Sequence, residues 1–197
     1  MSEPVTKGER TRRAILAAAI ERFARDGFRA TSMSDLARDA GLSPTAAYAY
    51  FPNKEALFLA AVDEDAAGEI GEALVSVLAG GFDGNWQQLI DTLVAGLRHH
   101  PLARRVLAGL EPDFTVRLLD IAALEQLRKG LADRLAEQQM TGLVRGDIDP
   151  GQMARGLVTI VLSLLMSIIQ TGDEAAGLLG ADVAAVLEAA LLAPGAA

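Results

Sequence analysis

The chain has 197 residues, enough for one or two small domains with a sizeable core, and 51% of them are hydrophobic against only 5% aromatic. With no cysteine it can form no disulfide, no Cys-ligated zinc finger and no thiol nucleophile. The net charge of −8 argues against a polyanionic partner until it is divided: residues 1–55 carry nine Lys/Arg against seven Asp/Glu, residues 56–197 nine against nineteen, so an acidic body would sit behind a mildly basic N-terminal segment.

Ala and Leu dominate the apolar residues and no stretch alternates strictly, which predicts an all-α protein. The first thirteen residues are mostly polar with no apolar core behind them, which predicts no secretory signal and a cytosolic chain. A first helix is expected over residues 9–26, with Ile15, Leu16, Ala19, Ile20 and Phe23 on one face and Gly27 as its stop. Ser32 and Asp35 mark the start of a short second helix that turns Met33, Leu36, Ala37 and Ala40 inward. Gly41 supplies a left-handed turn and Leu42 plugs the corner. Ser43 then caps a third helix, residues 44–51, with Pro44 at its first position. Two short helices joined by a tight glycine turn, beside basic residues, form a helix-turn-helix whose second member reads the major groove.

On that reading the N-terminal residues of the third helix, Pro44, Thr45, Ala46, Tyr48 and Ala49, approach base edges. Thr45 can hydrogen-bond a base or phosphate, and Ala46 and Ala49 offer only methyl groups. The helix has no Arg, Asn or Gln, so it can make no bidentate base contact. Specificity would then rest on thymine methyls, on DNA shape, or on Arg29 and the N-terminal arm. Arg10, Arg12 and Arg13 are expected near phosphate as a group, and Lys54 with the free amides of the next helix start.

Tyr48-Ala49-Tyr50-Phe51-Pro52-Asn53-Lys54-Glu55-Ala56-Leu57, following Ala40-Gly41-Leu42-Ser43, closely resembles the DNA-binding signature of the TetR/AcrR family of transcriptional regulators. Ile15, Ala18, Ala19, Phe23, Gly27 and Thr31 extend the likeness upstream, and residues 142–150 echo a turn that in the family precedes the first dimerisation helix. The resemblance implies that Thr31, Ser43, Tyr48, Tyr50 and Lys54 serve the DNA backbone. Of the two tyrosines, Tyr48 is expected to be exposed and Tyr50 largely core. It also implies a helical C-terminal domain that binds a small effector, with no cofactor and no enzymatic activity. Residues 1–53 would be the DNA-binding domain and 54–197 the ligand-binding and dimerisation domain.

Downstream, Asn53 caps a long helix over residues 54–78, residues 79–84 read as a loop, and further helices are expected over residues 86–98, 102–110, 114–141, 150–171 and 182–192. Phe82, Trp86, Phe114, Met140, Met153 and Met166 are candidate ligand-cavity residues, although any one of them could be plain core. His99-His100 and the acidic pairs Glu111/Asp113 and Asp147/Asp149 read as helix-end caps, not as a metal or catalytic constellation. The uncharged run of residues 156–169 falls short of the roughly 20 residues that cross a bilayer, so no membrane partner is expected. Instead Val161, Leu164, Leu165 and Ile168, with Val183, Val186, Leu187 and Leu191, are expected to form a homodimer interface of two helices from each subunit. The expected partners are thus an operator in double-stranded DNA, a small-molecule effector and a second copy of the chain.

Overall fold

The computed structural model describes residues 6–80 and 86–191, and within them every side chain except those of 69, 72–80, 86–87, 118 and 173–178. Helices α1 (Lys7–Ala30), α2 (Met33–Asp39) and α3 (Pro44–Tyr48) form an N-terminal head, followed by α4 (Lys54–Gly80), α5 (Trp86–Gly96), α6 (Pro101–Leu107), α7 (Ala122–Met140), α8 (Pro150–Thr171) and α9 (Asp173–Leu191). Two 3₁₀ turns, Pro112–Phe114 and Arg117–Asp120, occupy part of the stretch expected as the start of α7.

Local capping follows the expected pattern in the head. Thr6 and Glu9 form a reciprocal capping box at α1. Ser32 Oγ accepts from the Asp35 amide at 3.1 Å, Ser43 Oγ from Ala46 at 3.2 Å, and Asn53 Oδ1 from Ala56 at 2.7 Å. Gly41 has φ 69°, the left-handed turn between α2 and α3. Gly27 breaks the helical run at φ 83°, and α1 resumes for one further turn to Ala30.

Ile15, Leu16, Ala19 and Phe23 of α1 meet Leu36, Ala37, Ala47, Phe51, Leu57 and Phe58 in one core. That core also takes in Leu102 and Val106 of α6 and Phe114 beyond it. Phe114 stacks into an aromatic cluster, its ring 4.4 Å from that of Phe58 and 4.6 Å from that of Phe28. The head therefore shares a continuous core with α4 and α6. A second core joins α7, α8 and α9, through Leu124, Leu131, Leu135, Leu157, Val158, Leu187 and Leu191.

Arg155 does not end the apolar helix: α8 runs 22 residues, and by length and composition alone it is long and apolar enough to cross a membrane. Here it packs along α7 and α9 and buries Ala154, Leu157, Val158, Leu164, Leu165 and Ile168 against them and the neighbouring helices. Its bounds are those expected from the sequence; Arg155 interrupts the uncharged run of residues 156–169 but not the helix.

Candidate nucleic-acid interface and the cavity behind it

The candidate recognition surface is α3 with its two flanks. Pro44, Thr45, Tyr48 and Ala49 are exposed, Ala46 is half-buried, and Ala47 turns into the core. Tyr48 is 52% exposed whereas Tyr50 packs half-buried on the head core, so the two rings divide as their spacing of two residues requires. Ser43 uses its oxygen to cap α3, which leaves its hydroxyl hydrogen available to an acceptor such as a phosphate. Arg12 lies over the ring of Phe51 at 5.3 Å, which brings the N-terminal part of α1, with exposed Lys7, Arg10 and Arg13, alongside the end of α3.

Two expected backbone-contacting residues are committed elsewhere. Lys54 Nζ donates to the carbonyls of Phe28 (2.8 Å) and Thr31 (2.9 Å) and lies 4.2 Å from the centre of the Phe28 ring. It closes the C-terminal end of α1, where a cation complements the exposed carbonyls. Thr31 is buried, and its hydroxyl donates to Gly27 O at 2.8 Å. The Thr31 side chain is thus enclosed, and Lys54, half-buried, has two of its three N–H donors committed within the head. Arg29 pairs with Asp113 at 2.8 Å on the surface, an exchangeable contact at an exposed pair.

Ion pairs brace the outer face of α1 and α2. Arg22 forks onto both oxygens of Asp39, Arg25 onto Asp26, and Arg38 meets Asp35. The Arg22 hydrogen bond holds the Asp39 carboxyl below its ordinary value; Arg25 does the same for Asp26, and Ser32 followed by Arg38 for Asp35.

Behind the head lies a cavity of about 350 Å³, bounded by α4 (Val62, Ala66, Ile70), α5 (Leu89, Leu93) with Leu97 just beyond it, α6 (Ala103, Val106, Leu107), α7 (Leu124, Leu127, Leu131) and α8 (Leu157, Val161, Leu165, Met166). That size is ordinary for a small-molecule site. Among the described lining residues none is charged, and the polar ones are Thr115, Thr159 and Ser163. Val116 and Leu119 line it while standing exposed, so the opening lies along the 3₁₀ turns.

Of the side chains expected in a cavity, Met166 lines it. Phe114 is instead in the aromatic cluster of the head, Met153 packs on the α7–α9 core, and Met140 is 82% exposed at the end of α7. Phe82 and the Trp86 side chain lie outside the described residues. Phe114, Met140 and Met153 thus lie elsewhere, and most of the described lining is aliphatic residues indistinguishable from core in the sequence.

The expected dimer face is corrected in the same way. Leu164, Leu165, Ile168, Leu187 and Leu191 are buried within the single chain, and Val161 and Val183 are half-buried against its second core. Only Val186 of that set is exposed, and Ile160 and Leu179 join it as exposed apolar residues of α8 and α9. A helix apolar nearly all round has two sides, and most of these side chains are packed within the chain itself.

The helix between cavity and head is fastened at both ends. Asp65 of α4 is buried, and its Oδ2 accepts from the amides of Leu102 (2.9 Å) and Ala103 (2.8 Å), capping α6 from another helix. Its other oxygen lies 3.3 Å from His100 Nδ1. At the far end Glu111, 6% exposed, accepts from Arg105 Nε at 2.7 Å and from the Phe28 amide at 3.1 Å, while Arg105 also reaches Ala24 O at 3.4 Å. Glu111 is therefore not a helix cap but a bridge from α6 to the end of α1. Among the other expected caps, Asp149 does cap α8, accepting from Gln152 N at 2.7 Å, and Asp147 pairs with Arg145.

The family model for bacterial regulatory proteins of the tetR family matches residues 15–61. An uncharacterised HTH-type transcriptional regulator of Bacillus subtilis, YdgC, is 25% identical over 198 residues, covering 92% of this chain and 93% of its own. Among solved structures, a protein of Mesorhizobium loti classed with the TetR-family transcriptional regulators superposes with TM-score 0.68 and 26% identity, over 94% of this chain and 96% of its own. Thermus thermophilus FadR, a TetR-family transcriptional repressor solved in complex with lauroyl-CoA, shares the fold with TM-score 0.65 and 24% identity, over 94% and 98% of the two chains.

Proposed function

We propose that the chain is a transcriptional regulator of the TetR family and not an enzyme, and, from that premise, that it is a repressor in the cytoplasm, bound as a dimer to a pseudo-palindromic operator and released by a small-molecule effector. The observation that carries the proposal is the position of α6. One face of it lines the cavity, and its two ends are tied by Asp65 to α4 and by Arg105 and Glu111 to the last turn of α1. A molecule that fills the cavity and displaces α6 therefore pulls on the helix that carries the head.

On DNA, α3 lies in the major groove with Thr45, Ala46, Tyr48 and Ala49 toward the bases and Ser43 toward a phosphate, and Lys7, Arg10 and Arg13 neutralise the adjoining strand. The absence of a bidentate donor on α3 favours half-sites read through thymine methyl groups and groove shape. A second copy docks on the exposed face of α8 and α9 around Ile160 and Val186, which sets the two heads about 34 Å apart, one turn of DNA. Effector and operator then oppose each other through that spacing. A coupling of about 3 kcal/mol corresponds to roughly 150-fold weaker DNA binding, and the effect is reciprocal.

Selection of bound sequences from a random duplex pool tests the reading. It predicts an inverted repeat with half-site centres about one turn apart. Recovery of no enriched sequence, at salt low enough for phosphate contacts to act, contradicts it.

A further inference from the structure

We propose that the molecule taken by the cavity is an uncharged amphiphile: a hydrocarbon body with a single O–H or N–H donor at its outer end. The inference rests on the ligand-binding reading above and deepens it. A volume of about 350 Å³ has room for a dozen or so methylene-sized groups at about 30 Å³ apiece. The inner wall, represented by Leu93, Leu97, Leu131 and Leu165, offers such a body only hydrocarbon. No charged side chain occurs among the described lining residues, so a carboxylate, phosphate or ammonium drawn inside would leave water without a counter-charge.

The polar groups at the opening narrow the class further. Thr159 and Ser163 stand one turn apart on α8, both lining the cavity and both exposed. The Thr159 hydroxyl donates to Arg155 O at 2.8 Å, and that of Ser163 donates to Thr159 O at 2.9 Å. Their hydrogens are thereby committed along the helix, and each oxygen turns only lone pairs to a ligand. Two adjacent acceptors, with no cation among the described lining residues, disfavour a carboxylate or an ether oxygen seated on them. They satisfy an alcohol, a phenol or an amide N–H. Thr115 across the opening is the one lining hydroxyl with no such helix bond among the described residues, and it can accept or donate as the ligand requires.

Calorimetric titration of the purified chain at pH 8 with matched probes tests this: 1-decanol, 1-methoxydecane and decanoate, and the compact pair 2-naphthol and 2-naphthoate. The expected result is binding of decanol or naphthol, with the matching acid at least about 100-fold weaker and the methyl ether about tenfold weaker than decanol. Replacing both outer hydroxyls (Thr159→Val with Ser163→Ala) is expected to bring decanol and the ether to equal affinity while the acids stay excluded. An acid that binds as tightly as its alcohol overturns the inference and leaves the cavity a ligand site. Failure of all five probes to bind, or to raise the melting temperature, removes the inference together with the ligand-binding reading. Binding of decanol without any change in operator affinity leaves the ligand class standing and removes only its regulatory role.

Discussion

At the scale of single residues, the head separates side chains that α3 presents outward from side chains committed to partners inside the head. Lys54 holds two carbonyls at the end of α1, so Lys54→Met should lower stability by about 1–3 kcal/mol. The slope of log affinity against log salt should stay unchanged, and a shift of about one unit would mean that the ammonium does meet a phosphate. Thr45→Ala, at an exposed position, should leave melting unaltered and change which half-site is preferred; equal loss on every duplex would show that it touches no base. The positions of Lys54 and Thr31 were legible in the sequence as motif members but not as donors to the end of α1, because their partners are backbone carbonyls that any residue could supply. The division between Tyr48 and Tyr50 was legible, since two residues apart on a helix cannot share a face. Asp26, Asp35 and Asp39 all sit below their ordinary titration range because arginines, and for Asp35 also Ser32, stabilise the charged form. Their contribution to stability is complete above the usual aspartate value near 3.9 and is lost as pH falls through the lowered values. Melting of the head should therefore be flat from neutral pH to about 4 and drop below it; a decline that begins near pH 6 would place the sensitive groups elsewhere.

At the scale of helices, the caps divide by distance along the chain. Those at α2, α3, α4 and α8 come from Ser32, Ser43, Asn53 and Asp149, each three residues from the amide it accepts, and all were readable from local spacing. The caps of α6 and α7 come from Asp65 and Asp63 on α4, at separations of 37 and 60 residues, and no local pattern announces them. Glu111 reaches across 83 residues to the Phe28 amide. Gly27 makes this contact possible: a Cβ there would lie 2.5 Å from Arg105 and 2.9 Å from Glu111, on a backbone already at φ +83°. The glycine was legible as a helix stop; its second duty, clearing space for the bridge, was not. Glu111→Ala leaves Arg105 and an amide without their acceptor, and should cost about 3 kcal/mol. Its more telling effect is on coupling. Glu111→Gln keeps an oxygen for the Phe28 amide and loses the ion pair, so it should bind operator normally and respond less to effector. An undiminished response would show that α6 acts on the head by another route.

At the scale of the whole molecule, helical architecture and the helix-turn-helix were evident because propensity, glycine turns and short-range caps all agree there. The cavity was not, and neither was the burial of the residues expected at a dimer face, because both involve the same aliphatic residues as the core, and only packing decides which of them face inward. Leu164 is buried in its own protomer, so Leu164→Glu should lower the melting temperature by roughly 10 °C or prevent folding, not release soluble monomers. Val186 is exposed on α9, and Val186→Glu should yield folded monomers by sedimentation, with weakened operator binding; a persistent dimer would put the interface on another face. The acidic body and the basic N-terminal segment also take their places at this scale, with Lys7, Arg10 and Arg13 beside α3 and the negative excess carried by the helices behind.

Fluorescence anisotropy with a selected operator duplex, titrated with the native chain and with Tyr48→Ala, tests most directly whether the outward face of α3 meets DNA. The expected result is saturation at two chains per duplex for the native protein, and at least about tenfold weaker binding for the variant with its melting temperature preserved. Operator affinity indifferent to the loss of the Tyr48 ring would contradict the account.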